Sequence, residues 1–216
     1  MTGRTRMPGL RDDSIGVPSA YGGAMTADPR VLGVTGASLL AVFAMLADDA
    51  VHAPTLADRA ALTAVASQLG TRLDELGGAP GELAELSAPH LGLLDDIQAR
   101  TAPGDWWERL MRSHIVTSML MDLVRTMAAD ASPDVRRRVE AAAASSGHGD
   151  FAVGRLREGI GEEESLAARL SLWGRRVAGE VLGASEGLRG HGPRDAAGEQ
   201  LAHRHSRRMA RLGLTA

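Results

Sequence analysis

The chain of 216 residues contains no cysteine. That absence removes disulfides, zinc knuckles, iron–sulfur ligation and thiol nucleophiles together, and it agrees with a cytoplasmic setting. Lysine is missing too, so all 24 Lys-or-Arg positions are arginine; GC-rich coding accounts for this bias without a demand for guanidinium chemistry. Aromatic residues make up only 3% of the chain. Leu, Val, Ala and Met must therefore fill the interior, which favours helices, because strands are usually enriched in aromatic and β-branched side chains. The net charge is -3, so no global field draws in nucleic acid. The most apolar stretch, Val31 to Leu46, is shorter than the roughly 20 residues needed to cross a bilayer and leads into Asp48 and Asp49. It reads as a buried helix. The N-terminal MTGRTRMPGLRDDSIG lacks the apolar segment of a signal peptide.

What is present is a globular composition, 44% hydrophobic and 24% charged. Residues 1–28, rich in Gly, Pro, Ser and Arg, read as a leader without periodicity, with Met7 and Met25 as alternative starts. A first helix is expected from Pro29 to Ala50, where Leu39, Phe43 and Leu46 form a stripe widened by Leu40. Asp48 and Asp49 are adjacent, so they point to different sides and are assigned to its solvated end. Thr55 and Asp58 mark the start of a second helix reaching Leu76, with Leu62, Val65, Leu69 and Leu73 on one face and Gly77-Gly78 beyond. Residues 79–102 predict one or two shorter helices, punctuated by Pro80, Pro89 and Pro103.

Asp105 is the expected cap of a helix from Trp106 to Ala129, apolar on nearly every side between Ile115 and Val124 and therefore central. Ser132-Pro133-Asp134 opens the next, disturbed at Gly147. Asp150 to Ile160 leads into a helix from Glu162 to Leu182 with the stripe Leu166, Leu170, Trp173, Val177, Val181. Gly187, Gly190, Gly192 and Pro193 read as a linker, and Arg194 to Ala216 as a basic amphipathic helix. The expected fold is all-α: a four-helix bundle over 29–185 with short connecting helices, then a linker and tail over 186–216 that add a C-terminal helix.

Several segments, LADDA at 46–50, APTLADRAAL at 53–62, TAPGDWWE at 101–108, SSGHGDFAV at 145–153 and RLSLWGRRVAGEVL at 169–182, resemble in order and spacing a family of actinobacterial ferritin-like proteins. That family is related to the tRNA hydroxylase acting on 2-methylthio-isopentenyl-adenosine. The resemblance implies a ferritin-like bundle over roughly residues 30–185. Working relatives hold two irons between one carboxylate from each of two helices and a Glu-x-x-His pair from each of two others. Here the family positions fall on Leu39, on Gln68 and Thr71, on Thr117, and on Ser145 and His148. Only His148 ligates in the usual way, so the resemblance implies the fold, and the replacements imply that the diiron site is lost.

Three functions follow as expectations. The first is a binding or scaffold protein with no cofactor, as a homodimer. The second is an iron-dependent hydroxylase or oxygenase with a displaced diiron ligand set drawn from Asp122, Glu140, His148 and Asp150. The third is an RNA-associated protein, in which Arg204, Arg207, Arg208 and Arg211 of the tail track phosphates. Each residue also has a plainer reading: His148 as a structural histidine, Asp122 as one half of an ion pair within an apolar run, and the tail arginines as a solvated face. Met111, Met119, Met121 and Met127 read as adaptable core filler.

Overall fold

A computed structural model describes residues 27–190 and 195–216. Most of the expected leader, with Met7 and Met25, the expected linker positions Gly192 and Pro193, and Arg194 at the start of the expected tail helix lie outside the described residues. Within them the chain forms eight helices and no strand: α1 (Ala27–Val51), α2 (Leu56–Glu75), α3 (Pro80–Arg100), α4 (Trp106–Ala128), α5 (Pro133–Ala142), α6 (His148–Glu162), α7 (Glu164–Arg189) and α8 (Asp195–Arg211).

The helix starts follow local chemistry. Thr55 accepts a hydrogen bond from the Asp58 amide, Asp105 from Glu108, and Ser132 from Val135. Each satisfies a first-turn donor that has no helical partner. Gly77 and Gly78 hold φ of 64° and 89°, the left-handed region that turns α2 into α3.

α1 and α4 stand in the middle. α1 packs against α2, α3, α4 and α5, while α4 packs against α1, α5, α6, α7 and α8. On one side α2, α5 and α6 close the bundle; on the other α3 and α7 do so. This placement explains why both central helices are apolar most of the way round. The segment Asp28–Val51 even reaches the length and apolar character of a membrane span, longer than the sequence suggested, and 61% of its most apolar window is buried inside the bundle. α1 and α3 approach closely: a Cβ on Gly33 would lie 2.3 Å from the Leu86 carbonyl oxygen, and one on Gly36 2.5 Å from Ser87 Oγ.

Four expectations are corrected. Residues 80–100 form one helix that continues through Pro89; its packing along α1 and α7 outweighs the lost backbone bond. The lead-in from Asp150 to Ile160 is itself helical within α6. α7 runs through Gly187, expected as linker, to Arg189. The tail helix is a packed element, since α8 sits on α4 and α7 and buries Leu201, His205, Met209, Leu212 and Leu214 near or within its C-terminal half.

Candidate functional site

α4 carries an unusual polar load for a central helix: Arg112, Ser113, His114 and Asp122 are all buried. Charged groups survive in an interior only when paired or hydrogen-bonded. Arg112 Nη2 lies 3.3 Å from Oδ1 of Asp49 on α1, and Arg109 Nη1 lies 3.5 Å from the same oxygen. Asp49 is fully buried, which corrects its assignment to a solvated helix end. Its neighbour Asp48 is exposed and pairs with Arg109 at 2.6 Å. Burial pushes the Asp49 carboxyl up to about 6, against the pull of Arg112 and Arg109.

His148, the first residue of α6, is buried, with Nε2 3.2 Å from Ser113 Oγ. The Ser113 hydroxyl also reaches the Leu110 carbonyl at 3.2 Å. Burial, reinforced by the charge of His114, holds His148 down at about 3. Burial together with Arg208 and His205 holds His114 at about 4. Both rings are neutral at neutral pH, and neither ring nitrogen of His114 has a hydrogen-bond partner.

These histidines border a cavity of about 180 Å³ between α2, α4, the α5–α6 turn and α8. Its principal polar walls are Arg72, His114, Thr117, Arg125, His148 and Arg208. Among the described residues no Asp or Glu lines it. Arg72 donates to the Ser145 carbonyl, Arg125 to the Ala143 carbonyl and to Glu140 Oε2 (3.3 Å), and Arg208 to Asp122 Oδ2. Burial and the nearby charge of Arg125 hold the Arg72 guanidinium below its ordinary value.

The structure divides the residues singled out from the sequence. Thr117, Ser145 and His148 meet at this cavity. Leu39 is fully buried but does not line it. Gln68 and Thr71 are exposed on the outer face of α2 and so cannot be its inward pair. The i, i+3 residues that face the cavity are Leu69 and Arg72, one position on. The buried residues Leu62, Val65, Leu69 and Leu76 mark this phase, with Arg72 between the last two, whereas Leu73 of the expected stripe is only half-buried.

The displaced ligand set is not assembled either. Asp122 is occupied by Arg204 Nη1 at 3.1 Å and by Arg208. Glu140 is exposed beside Arg125, and Asp150 is exposed in the first turn of α6. Among the described residues no group of three or more His, Asp or Glu is arranged to hold a metal ion. The tail set is corrected as well. Burying Leu201, His205 and Met209 turns Arg204 and Arg208 inward onto Asp122, leaving Arg207 and Arg211 exposed. Arg72, His114 and Arg125 carry no mark in the sequence, since an isolated charge or imidazole at helical spacing gives no signal of its partners.

The model of the family described as "Ferritin-like domain, actinomycetes" matches residues 25–202, which takes in all four helices around the cavity except the last part of α8. The chain belongs to this family of ferritin-like domains. A comparison with curated proteins gives no match. In this ferritin-like domain α3 and α7 pack along α1 and α4 on one side, and α8 closes the cavity on the other.

Proposed function

We propose that this ferritin-like domain is a cytoplasmic binding protein that has no diiron centre and takes a small ligand in the cavity between α2, α4, α6 and α8. The observation that carries the reading is the charge of that cavity: three arginines and two histidines line it, and among the described residues no carboxylate does. Two ferrous ions need hard anionic oxygen ligands to offset their charge in a low-dielectric interior. The residues present do not fit that need. Guanidinium groups repel a cation, and the buried carboxylates Asp49, Asp58 and Asp122 are already held by Arg112, by Arg155 and by Arg204 with Arg208. No hydroxylation step is therefore built on this site.

Metal analysis of the full chain after iron-supplemented expression tests the reading. Iron far below one per chain is expected. Two irons per chain, with the near-ultraviolet absorption of an oxo-bridged pair, would overturn it.

A further inference from the structure

We propose that this cavity is an oxyanion site that holds a phosphate group, free or carried on a small phosphomonoester. The inference rests on the reading of the cavity as a ligand site and adds the chemistry of the ligand.

Charge balance is the first support. Arg72, Arg125 and Arg208 line the cavity, and the carboxylates that pair with them stand outside its lining: Glu140 for Arg125, and Asp122, shared with Arg204, for Arg208. Arg72 has no ion-pair partner among the described residues, and it faces Arg125 across the same space. Holding like charges together in a partly enclosed space is unfavourable unless an anion joins them. Guanidinium groups match phosphate oxygens with paired, in-plane donors.

Unmet hydrogen-bonding groups are the second. Both His114 ring nitrogens, Thr117 Oγ1 and Arg208 Nη1 are buried and have no partner, and all three residues line the cavity. His114 is only 6% exposed. Buried polar groups are nearly always bonded, so several orphans around one space indicate a missing partner. A water molecule satisfies hydrogen bonds but supplies no negative charge; an oxyanion does both.

The third support is the start of α6. Its cap residue is Gly147, which offers no side-chain bond, and the first helical amide bond runs from Phe151 to the Gly147 carbonyl at 3.1 Å. The amides of His148, Gly149 and Asp150 are left without helical partners, at the positive end of the helix dipole. Positions 147 and 149 are open, with nothing within 4 Å of where a Cβ would stand. The volume of about 180 Å³ lies below the roughly 300–1,000 Å³ of pockets for drug-sized ligands, and so suits a phosphate with a small substituent.

The test is calorimetric titration of the full chain at low ionic strength with inorganic phosphate, glycerol 3-phosphate and, as an uncharged control, glycerol. One saturable site is expected for at least one of the two anions, weakening as salt rises, and none for glycerol. Tighter binding of inorganic phosphate assigns the free anion; tighter binding of the ester assigns a phosphomonoester. Arg72→Gln should weaken binding at least tenfold, and Ser146→Asp, which places a carboxylate at the cavity, should abolish it. Arg175→Gln, on the exposed face of α7, should bind as the unaltered protein does. Should Arg72→Gln fail to fold, Ser146→Asp and Thr117→Val carry the comparison, since no hydrogen bond of the described residues depends on either side chain. Absence of binding by both anions, or unchanged binding in Ser146→Asp, overturns the inference. With iron still absent, that result leaves the binding-protein reading standing; bound iron would remove the reading itself.

Discussion

Arg112, in the second turn of α4, and Asp49, in the last turn of α1, meet with Nη2 to Oδ1 at 3.3 Å, Asp49 fully buried and Arg112 nearly so. The two central helices are thus joined by charge as well as by apolar packing. The geometry is imperfect, because Asp49 Oδ2 and Arg112 Nε have no partners. A pair of this kind contributes little net stability, yet removing one member strands the other.

Arg112→Met should accordingly destabilise the fold by roughly 3 kcal/mol, leaving Asp49 with only the more distant Arg109 to offset its charge. Converting both, with Asp49→Leu alongside Arg112→Met, should recover most of that loss. Urea unfolding of the two single variants and the double variant measures the coupling. Additive losses would show that the pair is not coupled.

The pH dependence of stability has two opposed parts. The Asp49 carboxyl ionises at about 6 in the folded protein and at 3.8 ordinarily. Between those values the folded state keeps a proton that the unfolded chain releases, so this contribution is complete below pH 3.8 and is lost as pH rises through 6. The histidines run the other way. With His148 at about 3 and His114 at about 4, against 6.5 ordinarily, the unfolded chain binds more protons below 6.5, and stability falls as pH drops. His148→Gln should flatten the loss between pH 6.5 and 3, whereas Asp49→Asn should steepen it. Urea midpoints across this range would expose the error if the variants and the parent gave parallel curves.

Gly33 and Gly70 should respond to alanine in opposite directions. Alanine favours a helix by about 1 kcal/mol over glycine. At Gly70 nothing lies within 4 Å of the added methyl, so that gain should appear as a higher thermal midpoint. At Gly33 the methyl would fall 2.3 Å from a backbone oxygen of α3, and forced separation should cost about 1–3 kcal/mol. A gain in both variants would contradict the close α1–α3 approach.

Asp122 anchors α8 through Arg204 and Arg208. Asp122→Asn should raise amide hydrogen exchange across α8 while leaving α1 protected, because α8 packs on α4 and α7 but not on α1. Both arginines keep partial solvent contact, so the loss of global stability should stay near 1 kcal/mol. Uniform exchange changes through the whole bundle would argue against a local anchor.

Much of the fold was legible because helix starts and amphipathic stripes are written in neighbouring residues. Thr55, Asp105 and Ser132 were recognisable as caps since a capping side chain bonds an amide only three residues away. α3 was less legible: Pro89 is a local stop signal, and only contacts with α1 and α7 carry the helix past it. The cavity was legible only in part. His148 was named, but Arg72 was hidden by a phase error of one residue on α2, and Arg125 and His114 had no distinguishing spacing.

By itself, then, the sequence determined that this chain is helical, free of thiol chemistry, and built around two helices apolar enough to be central. Those properties depend on composition and on periodicities a few residues long. The tertiary structure alone decided that Asp49 goes inside while Asp48 stays out, that α8 folds its arginines onto Asp122, and that Arg72, Arg125 and Arg208 converge from three helices on one cavity. The sign of that cavity depends on charges from positions 72 to 208, and no local pattern records a sum over groups brought together only when the helices pack.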